Sequence, residues 1–185
     1  MIIDSAMSRK EAFLNLSPDC PREIINAQTL VNVEYYGPDG ELHRGQIVID
    51  KRLANDVRAV FTLMNEIKFP IERAVPAADP EFFKNNKWDD EILMDKNITS
   101  SFNYRTIAGL KKLSNHARGR AIDINPRLNP YIHKGITEPS GASYDTSRSG
   151  TLTSEHPVVL KFKALGWKWG GDWEPLKDYQ HFEKD

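Results

Sequence analysis

The rhythm of apolar and polar positions changes several times along this chain. From Thr29 to Tyr36 β-branched and aromatic residues dominate, and Leu42 to Asp50 resumes the pattern through Ile47, Val48 and Ile49. Pro38-Asp39-Gly40 between them is a turn signal, so the two runs predict a hairpin, preceded by a helical start. Val57, Val60, Phe61, Met64 and Ile67 then recur at helical spacing and form one apolar face. Asn55 or Asp56 is the expected N-cap of that helix, and Pro70 closes the segment. Ile71 to Val75 reads as a short strand. Residues 79–100 are polar and turn-rich, which predicts a long surface excursion containing a short helix.

Arg120 to Asn125 reads as a strand with Ile122 and Ile124 on one face and Asp123 on the other, ended by Pro126. Residues 127–153 look like a flap or insertion without regular structure. A last helix is expected from Glu155 to Leu165, with Ser154 as N-cap, Pro157 in the first turn and Gly166 at the C-terminal end. Strands and helices do not alternate regularly and no repeat is visible. The expected class is therefore α+β, with a small central antiparallel sheet flanked by helices. Residues 1–50 read as an N-terminal helix and β-hairpin extension, and residues 51–185 as the principal domain, the two forming one unit.

Composition narrows the function classes. The chain has 185 residues, 39% of them hydrophobic, enough for one core. Its 25 Lys and Arg nearly balance 26 Asp and Glu, which argues against a nucleic-acid binder driven by backbone electrostatics. Four Trp, six Tyr and eight Phe argue against disorder. The lone Cys20 excludes an internal disulfide and a cysteine-rich zinc site, and is read as structural. No apolar run approaches the roughly 18 residues that a membrane span needs. Met1 to Met7 does not read as a signal peptide.

The candidate chemistry lies in Ser114 to Asp123, in Asp178-Tyr179-Gln180-His181, and in Tyr104-Arg105. Asp123, set between two isoleucines, needs a partner, because an unpaired buried carboxylate is very costly. An arginine or backbone amides would serve; so would a metal ion. His116 lies seven residues earlier, with Gly119 between to turn the chain, and His181 is the natural third ligand. Two histidines and one carboxylate suffice for catalytic zinc. A carboxylate three residues before His181 could then act as acid and base, which is the role considered for Asp178. His43, His133 and His156 read as surface or capping residues. Trp167, Trp169 and Trp173 read as core and rim packing or as a cleft wall, and Tyr104 and Tyr179 as possible hydrogen-bonding partners of a substrate.

Ser101-Phe-Asn-Tyr104-Arg105, Ser114-x-His116-x-x-Gly119-x-Ala121-x-Asp123-Ile-Asn-Pro126, and Gly166-Trp-x-Trp169-Gly-Gly-Asp172-Trp173 through Asp178-x-x-His181-Phe182 together resemble one family. It is the zinc metallopeptidase family of D-alanyl-D-alanine carboxypeptidases and L-alanyl-D-glutamate endopeptidases, which cut peptidoglycan stem peptides. The resemblance covers residues 98–182. It implies that His116, Asp123 and His181 bind Zn2+, that Asp178 is the catalytic acid/base, and that Arg105 contacts the substrate carbonyl or the developing oxyanion. Ser114 falls near the metal in the family pattern, and with Tyr104 and Trp173 it completes the expected substrate-binding set. Residues 51–185 would then be a zinc peptidase domain of the hedgehog/DD-peptidase type. Asp rather than Glu at 178 favours the L-Ala-D-Glu endopeptidase branch over the D-Ala-D-Ala carboxypeptidase branch. The resemblance implies a monomer acting on stem peptides in the cell envelope, whether cellular or of the phage-lysin kind. A binding module of the same fold, one that recognises a partner without cutting, stays open.

Overall fold

The structure, a computed structural model, describes residues 1–107 and 109–185. Its elements in chain order are β1 (Ile2–Ile3), α1 (Arg22–Ala27), β2 (Gln28–Tyr36), β3 (Leu42–Asp50), α2 (Ala54–Glu66), β4 (Arg73–Ala74), β5 (Phe83–Lys84) and β6 (Lys87–Trp88). There follow α3 (Asp90–Asp95), β7 (Ile98–Thr99), β8 (Ala121–Asp123), β9 (Tyr131–His133), β10 (Ile136–Glu138), α4 (Pro157–Ala164), β11 (Lys168–Trp169), β12 (Lys177–Asp178) and β13 (His181–Glu183). Short 3-10 turns at Glu11–Phe13, Lys51–Leu53, Pro80–Phe82, Asn115–Arg118 and Gly170–Asp172 join them.

The class is α+β, with the strands divided among several small sheets in place of one central sheet. The predicted hairpin forms β2 and β3, in antiparallel register from Gln28 opposite Asp50 to Tyr36 opposite Leu42. Strand β1 joins the far edge of β3 in parallel. A second sheet has the order β11-β13-β8, and a third β10-β9-β12. The apolar face of α2 (Val57, Val60, Phe61, Met64) packs on Val31, Val33, Tyr35, Ile47 and Ile49 of the hairpin. The same buried cluster runs on through Ile122, Ile124, Phe162, Trp169 and Phe182. Phe162 stacks on Phe182 at 4.0 Å between ring centroids, so α4 is pinned to the strand that carries His181.

Several local expectations change. Helix α2 begins at Ala54, straight out of the Lys51–Leu53 turn, and Asp50 caps that turn by accepting from the Arg52 amide at 3.0 Å. Asp56 does not cap. Its carboxylate instead accepts from Trp167 Nε1 at 2.9 Å and from Lys184 Nζ at 2.8 Å. The cap of α4 is His156, not Ser154: its Nδ1 accepts from the Val158 amide at 3.2 Å. Burial lowers the pKa of His156, which keeps the ring neutral and able to accept. His43 is a buried hairpin residue rather than a surface one. Its ring bridges Asp4, distant in sequence, at 2.8 Å and Asp39, four residues earlier, at 3.1 Å.

Residues 79–100 are more than a surface excursion, because Phe82, Leu93 and Ile98 make a second buried cluster with Val75 and Ala77. The stretch 127–153 also contains structure. Strands β9 and β10 form a hairpin there, to which β12 adds as a third strand. No helix among the described residues is long and apolar enough to cross a membrane.

Candidate metal centre and active site

The antiparallel pairing of β8 with β13 sets Asp123 directly opposite His181. Facing residues of neighbouring strands project to the same side, so the two side chains meet. His116 reaches them from the Asn115–Arg118 turn. Ser114 caps that turn, its hydroxyl accepting from the His116 amide at 3.2 Å. Gly119 ends it at φ 63°, in the left-handed region. There is no room for a side chain at this position: a Cβ would press on the Gln28 side chain and lie 2.8 Å from the Asp50 amide nitrogen.

Three donor groups converge as a result. His116 Nε2 lies 3.2 Å from His181 Nδ1 and 3.2 Å from Asp123 Oδ2, and His181 Nδ1 lies 3.1 Å from Asp123 Oδ1. In a tetrahedral shell with zinc bonds near 2.0–2.1 Å, neighbouring ligand atoms stand about 3.3 Å apart. The observed separations are of that size, each imidazole facing a different oxygen of the Asp123 carboxylate.

The outer partners set the tautomers. Nδ1 of His116 faces the Ser101 carbonyl at 2.7 Å, which can only accept, so Nε2 presents its lone pair to the centre. Nε2 of His181 faces Glu183 Oε2 at 3.2 Å, so its Nδ1 does the same. Asn115 Nδ2 donates to the same Glu183 oxygen at 2.6 Å. Glu183 is a partner of the candidate site that sequence reasoning missed. It lies two residues after His181 on one strand and hence on the same face, while Phe182 between them turns into the core.

The electrostatics fit a cation. Burial opposes ionisation of Asp123, yet the two imidazoles beside it hold its carboxyl far below the ordinary carboxylate range. Burial likewise opposes a charge on His181, but its bonds to Asp123 and Glu183 push it up to about 10.

Asp178 stands on β12 at the rim of the same cleft, a cavity of about 600 Å³. Burial pushes its carboxyl up to about 6, against the pull of the nearby His181. Its Oδ1 is sealed from solvent and meets no protein partner. Gly170 packs against it so closely that a Cβ there would come within 2.8 Å of the Asp178 Cβ. The Gly-Gly step of the C-terminal motif is therefore what lets this carboxylate sit where it does.

Arg105 also lines the cleft, paired to Asp90 through Nη2 at 2.8 Å, with its Nε buried and unpartnered. Ser114 and Trp173 line it too, the Trp173 ring 5.2 Å from that of His181. Tyr104 does not. Its hydroxyl donates to the Asp19 carbonyl at 3.2 Å, and the residue belongs to a neighbouring cavity. Tyr179 stacks on Tyr144 at 3.7 Å and is not a lining residue. Trp167 and Trp169 are core residues.

The β9–β10–β12 sheet forms a further wall that the sequence did not reveal. Cross-strand register places Asp178, Tyr131 and Glu138 in one row and His133 with Ile136 in the next, all lining the cleft. His133, expected at the surface, has a buried Nδ1 with no protein partner.

Residues 108–184 match the family model described as D-alanyl-D-alanine carboxypeptidase. No solved structure matches the chain. The matched stretch contains all three convergent donors, Asp178 and Glu183, and this C-terminal part of the chain is similar to that family.

Proposed function

We propose that the protein is a zinc-dependent peptidase of peptidoglycan stem peptides, with L-Ala-D-Glu endopeptidase activity as the preferred reading. The observation that carries this is the meeting of His116, Asp123 and His181 donors at 3.1–3.2 Å in a cleft that also holds the unpartnered Asp178 Oδ1. Those three side chains would hold the ion. Zinc bound there supplies Lewis acidity, which makes water a nucleophile near neutral pH and polarises a peptide carbonyl.

The protein's own groups do the rest. The Asp178 carboxylate accepts the proton of the attacking water, and the same group returns it to the leaving amine. A carboxyl raised to about 6 suits both proton transfers near neutral pH. Arg105 steadies the carbonyl oxygen as charge develops on it, with Asp90 fixing the guanidinium. Trp173 covers the His181 side of the cleft and limits water there.

Asp at position 178 supports the endopeptidase branch. A carboxypeptidase needs a cation for the substrate's terminal carboxylate. Of the arginines that could clamp it, Arg118 is exposed and outside the cleft lining, Arg120 turns to Asp50 at 3.5 Å and Arg148 lines a different cavity. D-Ala-D-Ala carboxypeptidase is the second reading, favoured by the family description and by Lys112 and Arg105 at the cleft. A pure binding module would have no use for the buried Asp178 carboxyl. The substrate places the site of action in the cell envelope.

The test is incubation of the zinc-loaded protein with purified muropeptides, with and without a chelator, and identification of the products by mass spectrometry. Chelator-sensitive cleavage after L-Ala supports the preferred reading, and loss of the terminal D-Ala supports the second. Intact muropeptides in the presence of zinc would overturn both.

A further inference from the structure

A second cavity, of about 570 Å³, opens beside the metal cleft. Its walls come from three separate stretches: Asn15 and Asp19 near the N-terminus, Asn86 and Trp88 of the β5–β6 hairpin, and Asn103 and Tyr104. Asp90 and Arg105 line both cavities, and their 2.8 Å ion pair forms the sill between them. One elongated ligand could therefore cross from one to the other.

The walls are pre-built. Trp88 Nε1 donates to the Leu14 carbonyl at 2.7 Å, and the Trp88 ring meets Phe102 edge-on at 5.9 Å. Tyr104 is held by the Asp19 carbonyl, Asn15 Nδ2 donates to Asn86 Oδ1 at 3.0 Å, and Asn103 Nδ2 donates to Asp90 at 3.1 Å. A site fixed in this way loses little conformational freedom when it binds.

The chemistry of the lining is specific. Two aromatic rings stand among three side-chain amides and two carboxylates. Arg105 offsets Asp90, and the charge of Lys87 balances that of Asp19, so the cavity carries little net charge. Such a surface suits a neutral ligand with flat C–H faces for the rings and with hydroxyl and acetamido groups for the amides, each of which both donates and accepts. We propose that this cavity is a saccharide subsite for an N-acetylated amino sugar of the glycan strand. This inference rests on the peptidase reading for its context. In peptidoglycan the first residue of the stem is amide-linked to the glycan. A sugar seated next to the cleft therefore puts the glycan-proximal peptide bond, rather than a distal one, over the metal donors. The preferred substrate is the glycan-linked stem, not the free peptide.

The experiment has two arms. In the first, the full-length protein is titrated with tri-N-acetylchitotriose and followed by NMR. Shifts confined to residues 15–19, 86–88 and 103–105 are expected, and they disappear in Trp88→Ala. Asp19→Ala, an exposed position with little bearing on folding, weakens the same binding several-fold. In the second arm, KM is compared for a glycan-linked muropeptide and for the free stem peptide. The wild type favours the linked form by about tenfold or more, and Trp88→Ala brings the ratio toward one. Absence of shifts, shifts elsewhere, or shifts that survive both substitutions would overturn the subsite. So would shifts at these residues with free stem peptide but none with the sugar. If neither peptide is cut while the sugar binds as described, the peptidase reading fails and the saccharide site stands.

Discussion

Removing the Glu183 side chain gives the clearest measure of how this centre is held. Glu183 touches no metal donor position. It accepts from His181 Nε2 at 3.2 Å and from Asn115 Nδ2 at 2.6 Å, and its bond to His181 holds its own carboxyl down to about 2. It is therefore ionised throughout the working pH range, fixing both the tautomer and the orientation of the His181 ring. Loss of an outer partner of a metal-ligating histidine typically costs 10–100-fold in metal affinity, or about 1.4–2.7 kcal/mol. Glu183→Ala removes charge and hydrogen bond together and belongs at the upper end of that range. Glu183→Gln keeps an acceptor for His181 and belongs at or below the lower end. Competition against a chromophoric chelator measures both affinities, and thermal unfolding of the metal-free proteins separates any general loss of stability. An Ala variant that binds zinc as tightly as the wild type would refute the positioning role of Glu183.

Gly119→Ala places a Cβ at φ 63° against Gln28 and the Asp50 amide. A left-handed non-glycine residue costs about 1–2 kcal/mol, so the melting temperature should fall by at least about 2–8 °C, and zinc affinity should drop with it because His116 sits on the same turn. Burial works against a charged His43, yet its bonds to Asp4 and Asp39 outweigh burial and raise its pKa above 6.5. Its stabilising contribution is thus complete below pH 6.5 and fades as pH rises through the raised value. In urea unfolding, the stability gap between wild type and His43→Gln should be wide at pH 6 and narrower at pH 9; a constant gap would exclude this linkage. Asp178→Ala should keep its zinc and lose hydrolysis of stem peptides, and turnover at the wild-type rate would remove the acid/base role.

Two of the candidate metal donors, Asp123 and His116, were legible in the sequence because each rests on a local rule. Strand alternation isolates Asp123 between Ile122 and Ile124, and a glycine marks the turn that brings His116 back. Glu183 follows from the same alternation, two residues beyond His181, and could have been read. The β9–β10–β12 wall could not, because its rows exist only once distant strands pair in a given register. The cavity behind Arg105 likewise needs three separate stretches to meet. Asp56 fails to cap α2 for a related reason. Asp56 is drawn to Trp167 and Lys184 at the far end of the chain, and neither neighbour is visible from the helix itself. The burial of His43 is not visible locally either, because Asp4 reaches it only through the parallel pairing of β1 with β3.

Elemental analysis of the purified wild-type protein and of His116→Ala tests the central claim most directly. The convergence of His116, Asp123 and His181 predicts one zinc per chain in the wild type and a substoichiometric amount in the variant. Zinc at the wild-type level in His116→Ala, or none in either protein after zinc loading, would contradict it.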